Sequence, residues 1–466
     1  MFNTALQRVT LSRFALDQWR QVSLLHRLLS PLRQWRQGSW LLQWGDAIGW
    51  VFLAIVFALA PYVSTALIGV LMVACAGLWL LLTVSDQAEG WLTPVHVVVT
   101  VYWGVMVLAT ALSPVKSAAL VGLVKLTLNL LLFMLMARVL RRPNLRSALI
   151  LVYLATAAIV SVYGIRQYYF GAEALATWSD PETNLSQSTR VYSYLGNPNL
   201  LAGYLMPAVG FSAAAFFVWP KWVPKGLAVV LWGISSVCLI LTRSRGGWLG
   251  FVALSFVLMV LLVYWLNPLS TAFWRRWALP LLLGASAAVV VAAVLFVPSV
   301  QERVLTMFAG REDSSNNFRI NVWESVVNMI RARPIIGIGP GNEAFNKVYP
   351  LFQKPNYTAL SAYSIYLETA VEAGILGILS FAWLIGVSFY QSWVQINRLR
   401  QRLEPQGYWL MAAIAVQIGL LVQGAVDTIW YRPQVSTLWW LLMALIASYY
   451  VSLREKYRTD SLTDAA

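Results

Sequence analysis

The chain has 466 residues, of which 59% are apolar and 11% charged, where a soluble domain carries about 25% charged residues; with a mean hydropathy of +0.65 this excludes a soluble globular protein. The formal net charge of +15 raises nucleic acid or anionic lipid as partners. The basic excess, however, sits in the tails and in short segments between apolar runs, where membrane orientation accounts for it, so no nucleic-acid partner is implied.

In chain order, residues 1-45 form a basic segment in which Arg8, Arg13, Arg20, Arg27, Arg33 and Arg36 interleave with Leu, Trp and Val. This pattern predicts an amphipathic cytoplasmic stretch lying at the interface, not a cleaved signal peptide. A helix needs about 20 apolar residues to cross the hydrocarbon layer. Runs of that kind predict spans near 46-63, 66-84, 94-112, 119-139, 147-169, 197-219, 227-243, 248-266 and 279-297, then 365-390, 408-429 and 434-452. The first nine spans thus occupy 46-297 and the last three 365-452, with a tail at 453-466. Cys75 and Cys238 fall inside spans and read as small core residues.

Basic residues cluster between alternate spans: Arg138, Arg141, Arg142 and Arg146; Lys221 and Lys225; Arg275 and Arg276; Arg398, Arg400 and Arg402; and Arg454, Lys456 and Arg458. With twelve spans all of these share one side, which the positive-inside rule makes the cytoplasm, with both termini. Two segments then lie outside. One is 170-196, with Glu173, Asp180 and Glu182; the other is the long loop 298-364. Loops of that length are functional or disordered. Within it Phe318, Ile320, Trp323, Val326, Val327 and Ile330 recur at helical spacing and predict an amphipathic helix that Pro334 stops. No internal repeat of the kind found in many carriers is visible.

Ionisable residues inside spans or at their outer ends are functional candidates. The turn Arg243-Ser244-Arg245-Gly246-Gly247-Trp248 places two guanidinium forks outside, against the charge rule. It reads either as an anion site or as two snorkelling anchors. Arg166, Arg190 and Arg319 are further candidates for the same anion site. Asn197, Pro198 and Asn199 form a polar break opening span six. Glu368 and Glu372, four apart on one helix face, read as counter-ions to the arginines or as proton acceptors. Asp427 reads as a local partner of Arg432, and Lys125 as a deep lysine in span four. The run Gly337-Ile338-Gly339-Pro340-Gly341 lacks the ending of a nucleotide loop and predicts a turn re-entering the bundle. The two histidines, His26 and His96, both fall on the cytoplasmic side, so a histidine base at the outer site is excluded. No metal-site spacing is present and no cofactor is implied.

Four stretches carry a family resemblance over nearly the whole chain. They are Tyr192-Ser193-Tyr194-Leu195-Gly196-Asn197-Pro198-Asn199, Thr242-Arg243-Ser244-Arg245-Gly246-Gly247-Trp248, Arg311 through Arg319, and Gly337 through Asn342. Through them the chain resembles the O-antigen ligase and polymerase superfamily, and within it the cyanobacterial inorganic-carbon (bicarbonate) transporter group. The resemblance implies an all-α polytopic membrane protein of about twelve spans with a large outer loop. In its ligases, outer arginines grip the diphosphate of a polyprenyl-linked glycan and a histidine in the loop assists the acceptor. By position Arg245, Arg319 and Arg190 match those arginines, whereas Tyr363 stands where the histidine would be.

Beside a non-catalytic role as the partner of another membrane protein, two readings follow. In the first, the protein takes part in bicarbonate accumulation as a carrier or an accessory. In the second, it binds or transfers a glycan linked to a lipid diphosphate at the outer face of the inner membrane, with the Trp323 ring available to a sugar.

Overall fold

The computed structural model describes residues 9–11, 35, 38–85, 92–172 and 190–451. The arginines at 8, 13, 20, 27, 33 and 36, His26, the acidic residues Glu173, Asp180 and Glu182, and the basic tail after 451 lie outside the described residues. Among those described there are helices and no strands.

Ten helices are long and apolar enough to cross a membrane, and two shorter apolar ones, Gly45–Leu59 and Pro433–Ser448, accompany them. In order they are α1 (Gly45–Leu59), α2 (Thr65–Ser85), α3 (Pro94–Ala111), α4 (Lys116–Val139), α5 (Pro143–Phe170), α6 (Pro198–Val218), α7 (Trp222–Leu241), α8 (Arg245–Leu266) and α9 (Ala272–Phe296). Three loop helices follow, α10 (Pro298–Phe308), α11 (Ser314–Ala332) and α12 (Asn342–Val348), then α13 (Ile365–Gln401), α14 (Gly407–Gly424) and α15 (Pro433–Ser448). Each of the twelve apolar runs is thus a helix. The fold is that of an all-α polytopic membrane protein.

The differences lie at the ends and in the loop. α13 runs eleven residues past the expected 390, and α14 stops at Gly424, short of 429, because a 3-10 turn at Ile429–Tyr431 leads into Pro433. The loop holds α10 and α12 besides the expected α11. α10 is short and barely apolar on average, so its pattern does not stand out.

α6, α14 and α15 form the centre and are buried almost all round. α8 packs along α14, α13 along α3, and α4 lies between α2 and α15. In lipid such packing depends on close approach of backbones. The α8–α14 crossing illustrates it: a Cβ on Gly250 would meet the Gly419 carbonyl oxygen at 2.6 Å, and one on Gly419 would meet the Gly250 oxygen at 2.8 Å. α9 is different. None of its residues is buried, and its main neighbours are α8 and α10.

α13 is broken near its start, where Gly374 adopts φ 61 and ψ −152. The segment after Pro334 satisfies the groups freed by the break. Ile338 and Gly339 N–H donate to the carbonyls of Val371 and Glu372, both at 2.9 Å, and Ile375 N–H donates to the Pro334 carbonyl at 2.8 Å. A broken helix at membrane depth is tolerated where protein re-satisfies its backbone in this way. The glycine run re-enters the bundle, and its Gly341 N–H donates to Glu372 Oε1 at 2.5 Å.

Candidate functional site

The polar groups gather at one end of the bundle, where α5, α7, α9 and α14 end and α6, α8 and α13 begin. The turn between α7 and α8 is built by its own side chains. Ser244 Oγ accepts from Gly247 N–H at 3.1 Å and caps α8, while Arg243 takes φ 51. Arg245, in the first turn of α8, is buried and fully engaged. Its Nη1 donates to the Thr306 carbonyl at 2.9 Å and its Nη2 to Asp313 Oδ1 at 2.8 Å. Asp313 also accepts from Asn316 N–H at 2.8 Å and so caps α11. Arg245 therefore ties α10 and α11 onto α8.

Around this tie stand three more arginines. Arg190 Nε donates to the Thr242 carbonyl at 3.2 Å and its Nη2 to Asn199 Oδ1 at 3.3 Å. Arg303, on α10, spends only Nε on the Arg243 carbonyl, at 3.0 Å. Arg319, on α11, donates Nη1 to Ser315 Oγ at 3.2 Å, and its buried Nε has no hydrogen-bond partner. With Arg245 these enclose a small cavity of about 40 Å³ that Asp427 also lines. The charges are unbalanced, and the arginines themselves register it. Burial first, then the neighbouring Arg319 and Arg245, push Arg190 down to about 10. Burial, then Arg190 and Arg245, push Arg303 down to about 9. Guanidinium groups keep their protons, so these shifts reflect burial first and cationic crowding second, and a bound anion relieves the crowding.

Arg190, Arg243, Arg303 and Arg319 also line the mouth of a cavity of about 1960 Å³. It descends between α2, α4, α13 and α15 to Asn129, Trp440 and Leu384, with Tyr102, Trp430, Trp439, Glu368 and Glu372 on its walls. Asn129 lies between three and four turns into α4, about 20 Å along the axis. Beyond it the bundle is packed shut: Val98, Val99, Leu132, Phe133 and Met136 are each 0% exposed.

Several expected site residues sit elsewhere or do other work. Arg166 is exposed on α5 between the rings of Tyr163 and Phe170 and lines neither cavity. One position on, Gln167 turns inward and accepts from Tyr192 and Ser193 N–H at 3.2 and 2.7 Å. Lys125 is exposed on the cavity wall and pairs with Glu343 at 3.5 Å, so it is not a deep lone lysine. Glu368 and Glu372 are not counter-ions of the arginines; they accept from the N–H groups of Ala362 and Gly341. Asp427 faces the cluster with Arg190 and Arg319, and no ion pair joins it to Arg432 among the described residues. Burial raises its carboxyl above the usual range, while Arg319 pulls the other way. Tyr363 lines the large cavity with φ 48 and packs edge-on to Phe318; burial pushes its phenol up to about 12. Trp323 donates to the Ala362 carbonyl at 3.0 Å and does not line the cavity. Among the described residues no group of three potential ligands would hold a metal ion.

Sequence reasoning missed Arg303 and Asp313 as members of the site. Arg303 has no motif around it. Asp313 lies inside the Arg311–Arg319 stretch, and its place three residues before Asn316 at a helix start was the available signal.

Fold and site together define a class: a polytopic helical membrane protein with arginines at the mouth of a large cavity, below which the bundle is packed with buried side chains. Residues 228–382 match the family model described as O-antigen ligase. The match supports the O-antigen ligase superfamily, and the fold is O-antigen ligase-like. It spans the α7–α8 turn, the loop helices, the re-entrant segment and the first half of α13, whereas Arg190 and Asp427 lie outside it. No curated protein matches the chain. Nothing in these comparisons supports the bicarbonate group.

Proposed function

We propose that the protein binds a glycan carried on a polyprenyl diphosphate and transfers it to an acceptor, in the manner of the O-antigen ligases. The observation that carries this reading is the crowding of Arg190, Arg243, Arg303 and Arg319 at the mouth of a large cavity. The diphosphate is the anion that relieves the crowding, since guanidinium forks match phosphate oxygens. Its negative charge grows as the glycosidic bond to it breaks, and fixed arginines in a water-poor site stabilise that growth. Arg245 acts by holding α10 and α11 in place, so it is a positioning residue.

A bicarbonate carrier needs a path through the bundle. The 0% exposed residues below Asn129 give no support to one. The arrangement of basic residues favours an orientation with the arginine mouth outside. Arg138, Arg142, Lys221, Lys225, Arg275 and Arg398 all lie at the other end of the helices, and by the charge rule that end is cytoplasmic, in an inner membrane.

The test is retention of undecaprenyl diphosphate by the full chain in nanodiscs, beside uptake of labelled bicarbonate into liposomes. Saturable retention, weakened about tenfold or more in Arg319→Ala, is expected. No retention above empty nanodiscs, with bicarbonate uptake above empty liposomes, would overturn the proposal.

A further inference from the structure

Glycan transfer to a hydroxyl needs a group that takes the hydroxyl proton, and among the described residues no histidine lines the large cavity. Its walls offer carboxylates and phenols, most of them already committed. Asp313 is bound to Arg245 at 2.8 Å. Glu372 Oε1 holds the Gly341 N–H. Asp427 stands among the arginines, where the diphosphate is proposed to bind. Glu312 is exposed at the rim, and the Tyr363 phenol, pushed up to about 12, is a weak acceptor.

Glu368 differs from all of these. It lines the cavity and is only 7% exposed. Its Oε2 accepts from the Ala362 N–H at 2.6 Å, which fixes the carboxyl in place; its Oε1 is buried without a well-formed hydrogen bond, and the Thr428 hydroxyl, likewise without one, stands beside it. No cation pairs with it among the described residues. A buried polar atom without a partner is costly and rare. At a cavity wall, a hydroxyl brought by a ligand is a partner that would complete both this carboxyl and the Thr428 hydroxyl. The anchor at Ala362 also sets it one residue from Tyr363 and on the same wall as Asp427 and Thr428, which leads back to the arginine mouth.

We infer that Glu368 is the proton acceptor for a hydroxyl-bearing acceptor molecule in the cavity; the inference rests on the glycan-transfer reading above. In the step, the acceptor oxygen forms a bond to the anomeric carbon of the diphosphate-linked sugar. The bond from that carbon to the diphosphate oxygen breaks, and its electron pair leaves with the diphosphate held by the arginines. The hydroxyl proton passes to Glu368 Oε1. Trp430, half-buried on the cavity wall, is available to pack against the sugar or the acceptor.

The test uses the full chain in nanodiscs with two probes: dicyclohexylcarbodiimide, which modifies protonated carboxyls reached from an apolar cavity, and farnesyl diphosphate for the arginine mouth. Peptide mass spectrometry is expected to find Glu368 modified at least about fivefold more than Glu372. Glu368→Gln is expected to lose this labelling and to bind farnesyl diphosphate within about twofold of wild type. Glu368 left unlabelled, or labelled no more than Glu372, while farnesyl diphosphate binds would overturn this inference alone. Failure of farnesyl diphosphate to bind the wild type would overturn it together with the reading on which it rests. Because labelling is read on the wild type, a Glu368→Gln chain that misfolds does not remove the test.

Discussion

Arg303→Ala separates the arginine cluster from an ordinary surface charge. Arg303 commits one nitrogen, Nε, to the Arg243 carbonyl and leaves the rest of its fork at the cavity mouth. A hydrogen bond to a charged group contributes about 1.5–3 kcal/mol, so truncation is expected to weaken farnesyl diphosphate binding by about 10- to 100-fold. The same change removes one of several crowded cations, and burial, followed by crowding from Arg190 and Arg245, pushes Arg303 down to about 9. The empty protein should therefore melt no lower than wild type. That pairing of weaker binding with undiminished stability is the signature of a site held in tension for an anion. The assay is a binding isotherm in nanodiscs beside a thermal scan, with Arg166→Ala as the control because Arg166 lines neither cavity. Binding by Arg303→Ala within about twofold of wild type, or equal losses in Arg303→Ala and Arg166→Ala, would refute the reasoning.

Asp427 supplies the pH dependence. Burial raises its carboxyl, so it is neutral below that raised value and anionic above it. An ionised Asp427 opposes a bound diphosphate, so affinity should rise as pH falls through that value. Asp427→Asn should keep the higher affinity, a gain of about 3- to 10-fold at neutral pH, and should flatten the profile; weaker binding by the Asn variant would contradict this. Gly374→Ala is expected to lower stability by more than about 2 kcal/mol, because φ is 61 there and a Cβ would meet the Ile335 carbonyl carbon at 2.3 Å. Gly386→Ala, on the same helix with open space around it, should be neutral or slightly stabilising in the same thermal scan. Tyr363→Phe should change glycan transfer by less than about threefold, since a phenol pushed up to about 12 is a poor base.

The helices were legible because span length and apolarity are local properties. Residues 316 to 330 already show the period of α11, and the glycine run announces a turn that no regular helix accommodates. The site was legible only in part, because convergence depends on helix rotation. Arg166 and Gln167 are neighbours in sequence, yet about 100° apart around α5, and it is Gln167 that faces inward. Arg303 gave no signal because its importance comes from α10 being pinned to α8 through Arg245 and Thr306, residues 61 positions apart. Arg245, the strongest candidate by motif, proved to spend both Nη groups inside the protein. Glu368 and Glu372 share a helix face as their spacing implied. Their partners are the backbone of the loop and of the re-entrant segment, which no pattern of side chains announces.

The central claim is that the arginine mouth holds a lipid diphosphate. It is tested most directly by a structure of the full chain in nanodiscs with undecaprenyl diphosphate. The account expects the two phosphorus atoms among Arg190, Arg303 and Arg319, with the cavity below Asn129 still closed. Diphosphate density away from these arginines, or a continuous passage opening to the opposite face, would contradict it.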